Sequence, residues 1–234
     1  MIIKNRHPLF VFLCLIFLVA PLQVGAQGKQ QDLVDRAELL LRSFNDNSKY
    51  NDFRKYVPYA HAVLIIPSYI RGAFGFGLAG GPGVMMRRDI ETGKWSSPAF
   101  YSLRSLSAGL QAGGSSSEVI MFITTERGLQ SINRSALKLG FDTSVAVGQV
   151  GYGLSGWTPI NMSRDFIAFM RGKGVYIGAS LEGGSLVVKK KWNRRYYNSD
   201  VQPLDILTRV VSNPNTIGLQ DAMQTMVVTN PLLQ

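Results

Sequence analysis

The apolar residues Leu33, Val34, Ala37, Leu40, Leu41 and Phe44 recur at i, i+1, i+4, i+7, i+8 and i+11. That spacing predicts one continuous stripe on a helix over Gln31–Asn45. Its polar side carries Asp32, Asp35, Arg36, Glu38 and Arg42. A mixed, slightly acidic face suits a helix packed onto its own domain, whereas a membrane-surface helix would show a basic one. A short helical piece over Asp52–Tyr56 precedes Pro58. From Ala62 the period changes to that of strands. Val63–Ile66 reads as a buried strand ended by Pro67-Ser68, and Phe74–Met86 as a second, extended one. Asp89–Lys94 reads as a hairpin turn before a strand at Trp95. Further strands are predicted at Ser105–Ala112, Val119–Thr124, Thr143–Gly151, Val175–Leu181 and Ser185–Lys190. A helix over Glu126–Lys138, with Leu129, Ile132, Ala136 and Leu137 on one face, interrupts them, and helices at Pro203–Val211 and Leu219–Val227 close the chain. The pattern predicts an α+β fold: a curved, glycine-rich antiparallel sheet or partly closed barrel with flanking N-terminal and C-terminal helices.

Glycine changes that picture between residues 72 and 114, where Gly72, Gly75, Gly77, Gly80, Gly81, Gly83, Gly109, Gly113 and Gly114 stand among aromatic and aliphatic residues. Glycine inside a strand costs about 0.5–1 kcal/mol. Its repeated use therefore marks bulges, bends or close backbone approach. Gly75-Phe76-Gly77-Leu78-Ala79-Gly80 matches GxGxxG, but Gly81-Pro82-Gly83 and then another strand follow it. Without a helix to offer its N–H groups to a pyrophosphate, the match predicts no nucleotide site.

Residues 1–26 read as a secretory signal peptide: Lys4 and Arg6, an apolar run from Leu9 to Ala20, then Val24-Gly25-Ala26 before Gln27. The apolar run is too short for a spanning helix. Cys14 lacks the preceding small residues that lipoprotein processing requires. Residues 27–234 then form one domain with no cysteine, so neither disulfides nor a thiol nucleophile are available. Loss of Lys4 and Arg6 takes the formal charge from +10 to +8. A basic exported protein is drawn to anionic lipid or glycan rather than to nucleic acid.

Candidate chemistry is sparse. His61 is the one histidine after residue 26, and no acidic cluster accompanies it, so neither a metal site nor a cofactor is predicted. A GxSxG nucleophile elbow is missing, since Gly153-Leu154-Ser155-Gly156 fails the spacing. The reading is therefore non-enzymatic. Trp95 and Tyr101 read as core rings, and Trp157 as a loop ring open to solvent. The strongest charge feature is Lys189-Lys190-Lys191-Trp192-Asn193-Arg194-Arg195-Tyr196-Tyr197. Cations interleaved with aromatic rings suit a phospholipid surface, where lysine and arginine meet phosphates and Trp sits at headgroup level. On a strand, alternation would send Lys189 and Lys191 one way and Lys190 and Trp192 the other. The same segment also reads as a solvated hairpin edge guarded by lysines. Arg87 and Arg88, ahead of the Asp89 turn, carry the same two readings.

Several strings occur in order: Ala62–Pro67 (AVLIIP), Trp95–Phe100 (WSSPAF), Ser107–Gly113 (SAGLQAG), Leu139–Gly148 (LGFDTSVAVG), Lys173–Gly183 (KGVYIGASLEG) and Tyr196-Tyr197. Together they resemble the SYLF domain, over roughly residues 30 to 200; Gln149 departs from the proline expected there. The resemblance implies lipid binding and, in eukaryotic members, phosphoinositides and actin. A bacterial-type export signal predicts a periplasmic or envelope protein, soluble after cleavage, where actin is not expected. Anionic phospholipid, or a membrane surface carrying it, is then the expected partner, with Lys189, Lys190, Lys191, Trp192, Arg194, Arg195, Arg87 and Arg88 as candidate contacts. The alternative is a structural or assembly protein of the envelope using the same basic surface for a protein or glycan partner. The sequence fixes no oligomeric state.

Overall fold

A computed structural model describes residues 28–46, 54–74, 76–108, 113–132, 136–140, 142–149, 164–172 and 183–228. Eight strands form one sheet: β1 (Ala62–Phe74), β2 (Phe76–Arg87), β3 (Ala99–Ala108), β4 (Gly113–Ile123), β5 (Ala136–Lys138), β6 (Val145–Gln149), β7 (Phe166–Gly172) and β8 (Ser185–Val188). Their order is β5-β8-β3-β2-β1-β4-β7-β6, and every pairing is antiparallel except β6 with β7. Among the described residues β5 and β6 are unjoined edges, so the sheet is open. The helices are α1 (Lys29–Asn45), α2 (Glu126–Ser131), α3 (Lys190–Tyr197), α4 (Pro203–Leu207) and α5 (Ile217–Val228). The α+β class read from the sequence holds.

Both faces of the sheet carry helices. Helix α1 buries the six stripe residues on one face, together with Val63, Ile65, Val84, Met86, Phe100, Ile120, Phe122 and Phe169, and α5 packs beside it. On the other face lie Leu64, Ile66, Met85, Tyr101, Leu103, Met121 and Phe166, with Leu129 of α2 and Ile206 and Leu207 of α4. Consecutive residues such as Ile65 and Ile66 therefore serve opposite cores, as period-two alternation requires. Trp95 and Tyr101 are buried as expected; Trp157 lies outside the described residues.

Strand β1 does not stop at Pro67-Ser68. It carries one extra residue there relative to both neighbours: Ile65 and Ile70 face Val84 and Gly80 on β2, and Ile66 and Tyr69 face Val119 and Ser117 on β4. A bulge, not a strand end, is how the chain accommodates a proline with no N–H to give the ladder. One added residue inverts the alternation. Ile65 points to the α1 face before the bulge, and after it the even-numbered Ile70 does. Strand β2 makes room through glycine. A Cβ on Gly81 would overlap the Ser68 carbonyl, and one on Gly83 would lie 2.7 Å from the Ile65 carbonyl oxygen.

Other boundaries move for identifiable reasons. The helix predicted over Glu126–Lys138 ends at Ser131, and Ala136–Lys138 is strand β5, with only Leu137 of the three buried. Trp95 makes a single bridge to Arg88, and the strand begins at Ala99. The Asp89 turn forms as expected: the Asp89 carboxylate accepts the Glu91 and Thr92 N–H groups, and Gly93 adopts φ +69°. The predicted strand Val175–Leu181 lies outside the described residues.

Candidate functional site

The strand predicted over Ser185–Lys190 ends at Val188, and the basic segment is a helix from Lys190 on. The Lys189 N–H donates to the Phe100 carbonyl at 2.9 Å as the chain turns into α3. The helical period sorts the sequence cleanly. Trp192, Asn193, Tyr196 and Tyr197 face inward, while Lys190, Lys191, Arg194 and Arg195 are exposed on the outer side. The strand reading would have split the cations between two faces; the helix gathers four on one.

Helix α3 is held on β3 by specific contacts. Buried Asn193 accepts the Phe100 N–H at 2.7 Å. The Phe100 ring meets Trp192 edge-on at 6.0 Å and Tyr196 at 5.1 Å. The Tyr196 hydroxyl donates to Gln31 of α1 at 2.7 Å, and the Tyr197 hydroxyl to the Pro98 carbonyl at 2.8 Å. Desolvation pushes both tyrosine pKa values up, so both rings stay neutral donors at physiological pH. Trp192 is thus half-buried in packing, with the Lys189 ammonium 4.1 Å from the centre of its ring. That lysine's pKa is lowered by desolvation first and then by the charge of Arg104. On the outer face, Arg194 pairs with exposed Asp200 at 2.8 Å. Lys190, Lys191 and Arg195 make no ion pair among the described residues.

Arg87 and Arg88 do not join this face. They lie at the end of β2 beside the Asp89 turn, and the Arg88 guanidinium donates to the Pro58 carbonyl at 2.8 Å. Arg88 lines a cavity of about 300 Å³ with Pro58, Tyr59, His61 and Ile90. No group of three metal-ligating side chains occurs among the described residues.

Sequence reasoning missed a second polar centre. Asp165 is fully buried where β6 and β7 begin. Its carboxylate accepts two bonds from Arg127 at 3.0 and 2.6 Å, one from the Thr125 hydroxyl at 2.6 Å, and two from the Ser144 N–H and hydroxyl at 2.8 and 3.0 Å. Thr125 meanwhile caps α2 by accepting the Gly128 N–H at 3.0 Å. Desolvation pushes the Asp165 carboxyl up, but these donors outweigh it and hold the group well below the usual carboxylate range. With its oxygens occupied, Asp165 clamps a helix start to a strand pair.

The fold and this surface define an α+β domain that presents a basic helix seated on one face of its sheet. The chain belongs to the Ysc84 family, described as Las17-binding protein actin regulator, which matches residues 104–226. It is 30% identical over 178 residues to the human SH3 domain-containing YSC84-like protein 1, covering 74% of this chain and 52% of that protein. The bovine protein of the same name is 30% identical over 185 residues, 76% of this chain and 54% of its own length. Protein YSC84 of Saccharomyces cerevisiae is 25% identical over 187 residues, 76% of this chain and 40% of its own length. The chain therefore spans about half the length, or less, of the curated relatives it matches. The SYLF resemblance drawn from the sequence strings is confirmed at the level of the family.

Proposed function

We propose that this chain is an exported, non-enzymatic domain that attaches to anionic phospholipid surfaces through α3. The carrying observation is the gathering of Lys190, Lys191, Arg194 and Arg195 on one exposed helical face, anchored from below by Asn193, Trp192, Tyr196 and Tyr197. A rigidly seated helix with its four cations outward meets a charged plane with little reorganisation. Export through residues 1–26 puts that face where anionic glycerophospholipid is the abundant polyanion. The family description names binding and regulation rather than catalysis. An actin-regulating role like that in the family's description would need a partner not expected in the exported compartment.

Replacing Lys190, Lys191, Arg194 and Arg195 with glutamine tests the reading. Each cation near an anionic surface contributes about 1 kcal/mol, so the four account for about 4 kcal/mol. The variant is expected to lose most of its co-sedimentation with phosphatidylglycerol vesicles at low salt. Its melting temperature should hold, because exposed charges add little to stability. Undiminished binding would overturn α3 as the attachment site. Loss of a protein or glycan partner with vesicle binding unaffected would favour an envelope assembly role.

A further inference from the structure

About 4 kcal/mol from charge alone corresponds to roughly millimolar affinity, and Trp192 is occupied in packing against Phe100. Lasting attachment therefore needs apolar insertion from elsewhere. Three aliphatic side chains stand unusually exposed on the central strands: Ile70 on β1 at 61%, Leu78 on β2 at 65% and Leu106 on β3 at 78%. The register brings them together. Leu78 lies directly opposite Leu106 on one side and Gly72 on the other, while Ile70 is opposite Gly80, which is opposite Arg104. Ile70 and Leu78 are thus diagonal neighbours, within reach of one another on a sheet.

All three point to the face on which α1 and α3 lie. Residues 78, 80 and 84 of β2 share a side, and Val84 is in the α1 core; residues 100, 104 and 106 of β3 share it too, and Phe100 carries α3. The bulge at Pro67-Ser68 is what turns Ile70 to this side. Gly72 and Gly80 stand between the aliphatic residues without side chains, and a Cβ on Gly72 would meet nothing within 4 Å. The three side chains therefore rise from low ground.

We propose that Ile70, Leu78 and Leu106 form the membrane-inserting element of this domain, seated in an anionic bilayer while Arg104, Lys189 and α3 engage its phosphates. This rests on the lipid-surface reading above and assigns the part of it that charge cannot supply. Charge complementarity selects the occupant. Arg104 stands two residues from Leu106 on the same side of β3, and Phe100, further along that side, carries α3 with its four outward cations. An apolar patch with a cationic border suits a bilayer surface, which offers hydrocarbon beneath anionic phosphate. A second copy of the chain would bring the same cations against themselves.

The test uses the processed protein with phosphatidylglycerol vesicles at about 0.05 M and about 0.5 M NaCl, the higher salt shrinking the Debye length below the ~10 Å found at 0.1 M. The double variant Leu78→Ser/Leu106→Ser is expected to bind roughly tenfold more weakly at both salts, and at high salt, where insertion is what remains, to lose most of its sedimentation with vesicles. In parallel, Leu106→Cys labelled with an environment-sensitive fluorophore should shift to the blue on vesicles and be quenched by brominated acyl chains. The same label at Leu204→Cys, exposed on α4 over the opposite face of the sheet, should not respond. Binding of the leucine variant equal to wild type at high salt, or a silent label at position 106 on vesicle-bound protein, would overturn the insertion proposal while α3 attachment stands. Failure of the wild-type protein to bind at either salt would overturn both. A vesicle-independent change in sedimentation caused by the leucine substitutions would instead assign the patch to self-association.

Discussion

Gly81→Val is expected to lose on the order of 3 kcal/mol or more, enough to leave the domain largely unfolded if its total stability lies near the lower end of the usual 5–15 kcal/mol. The reason is the bulge in β1. A Cβ at position 81 would overlap the Ser68 carbonyl and stand 3.0 Å from the Ile66 side chain. These atoms belong to a strand paired on both sides, with β2 and β4, so they have nowhere to retreat. Moving the bulge would also return Ile70 and Tyr69 to the wrong faces. Gly72→Ala is the matched control, because an added Cβ there meets nothing and removes a glycine from a strand, a change worth a few tenths of a kcal/mol to about 1 in the stabilising direction. Urea unfolding of the two variants checks both. A Gly81→Val protein with the wild-type midpoint would mean that β1 and β2 do not approach as described.

Asp165→Ala should cost about 2–4 kcal/mol, because it strands the Ser144 N–H and the Thr125 hydroxyl and frees the cap of α2. The pH dependence has a definite sign. Burial raises this carboxyl, but the bonds from Arg127, Thr125 and Ser144 win and leave it depressed in the folded state. The unfolded chain, with a carboxyl near 3.9, takes up the proton first as the pH falls. Asp165 thus contributes its full stabilisation above about pH 5 and loses it progressively below about pH 4. Urea midpoints at neutral and acidic pH should fall steeply for the wild type and less so for Asp165→Asn. Equal slopes would show that the carboxylate is not the clamp.

The parts of this molecule legible in its sequence are those governed by local period. The α1 stripe is read residue for residue, because one amphipathic helix repeats a simple spacing against one core. The glycine-rich strands announce a curved sheet, but Pro67-Ser68 looks like an ending. Only pairing with β2 and β4 shows it to be an inserted residue that flips Ile70 outward. The helix at Lys190–Tyr197 is masked because the segment continues directly from strand β8, although the paired alternation Lys-Lys, Trp-Asn, Arg-Arg, Tyr-Tyr has the four-residue period of a helix. Asp165 gave no signal at all. Its donors lie about twenty and forty positions away in the chain, and nothing local distinguishes a buried aspartate from a loop one. The exposed aliphatic patch was hidden for a similar reason: strand residues of this kind are buried by default, and only the limits of α1 and α3 leave these three uncovered.

The central claim is attachment to anionic phospholipid, and a single titration tests it most directly. The processed protein is mixed with increasing amounts of neutral phosphatidylcholine vesicles, or of vesicles containing phosphatidylglycerol, at low and at high salt, and the bound fraction is read by sedimentation. Binding is predicted to need the anionic lipid at low salt and to weaken steeply, without vanishing, as salt rises. Indifference to vesicle charge, or no sedimentation with anionic vesicles even at low salt, would contradict it.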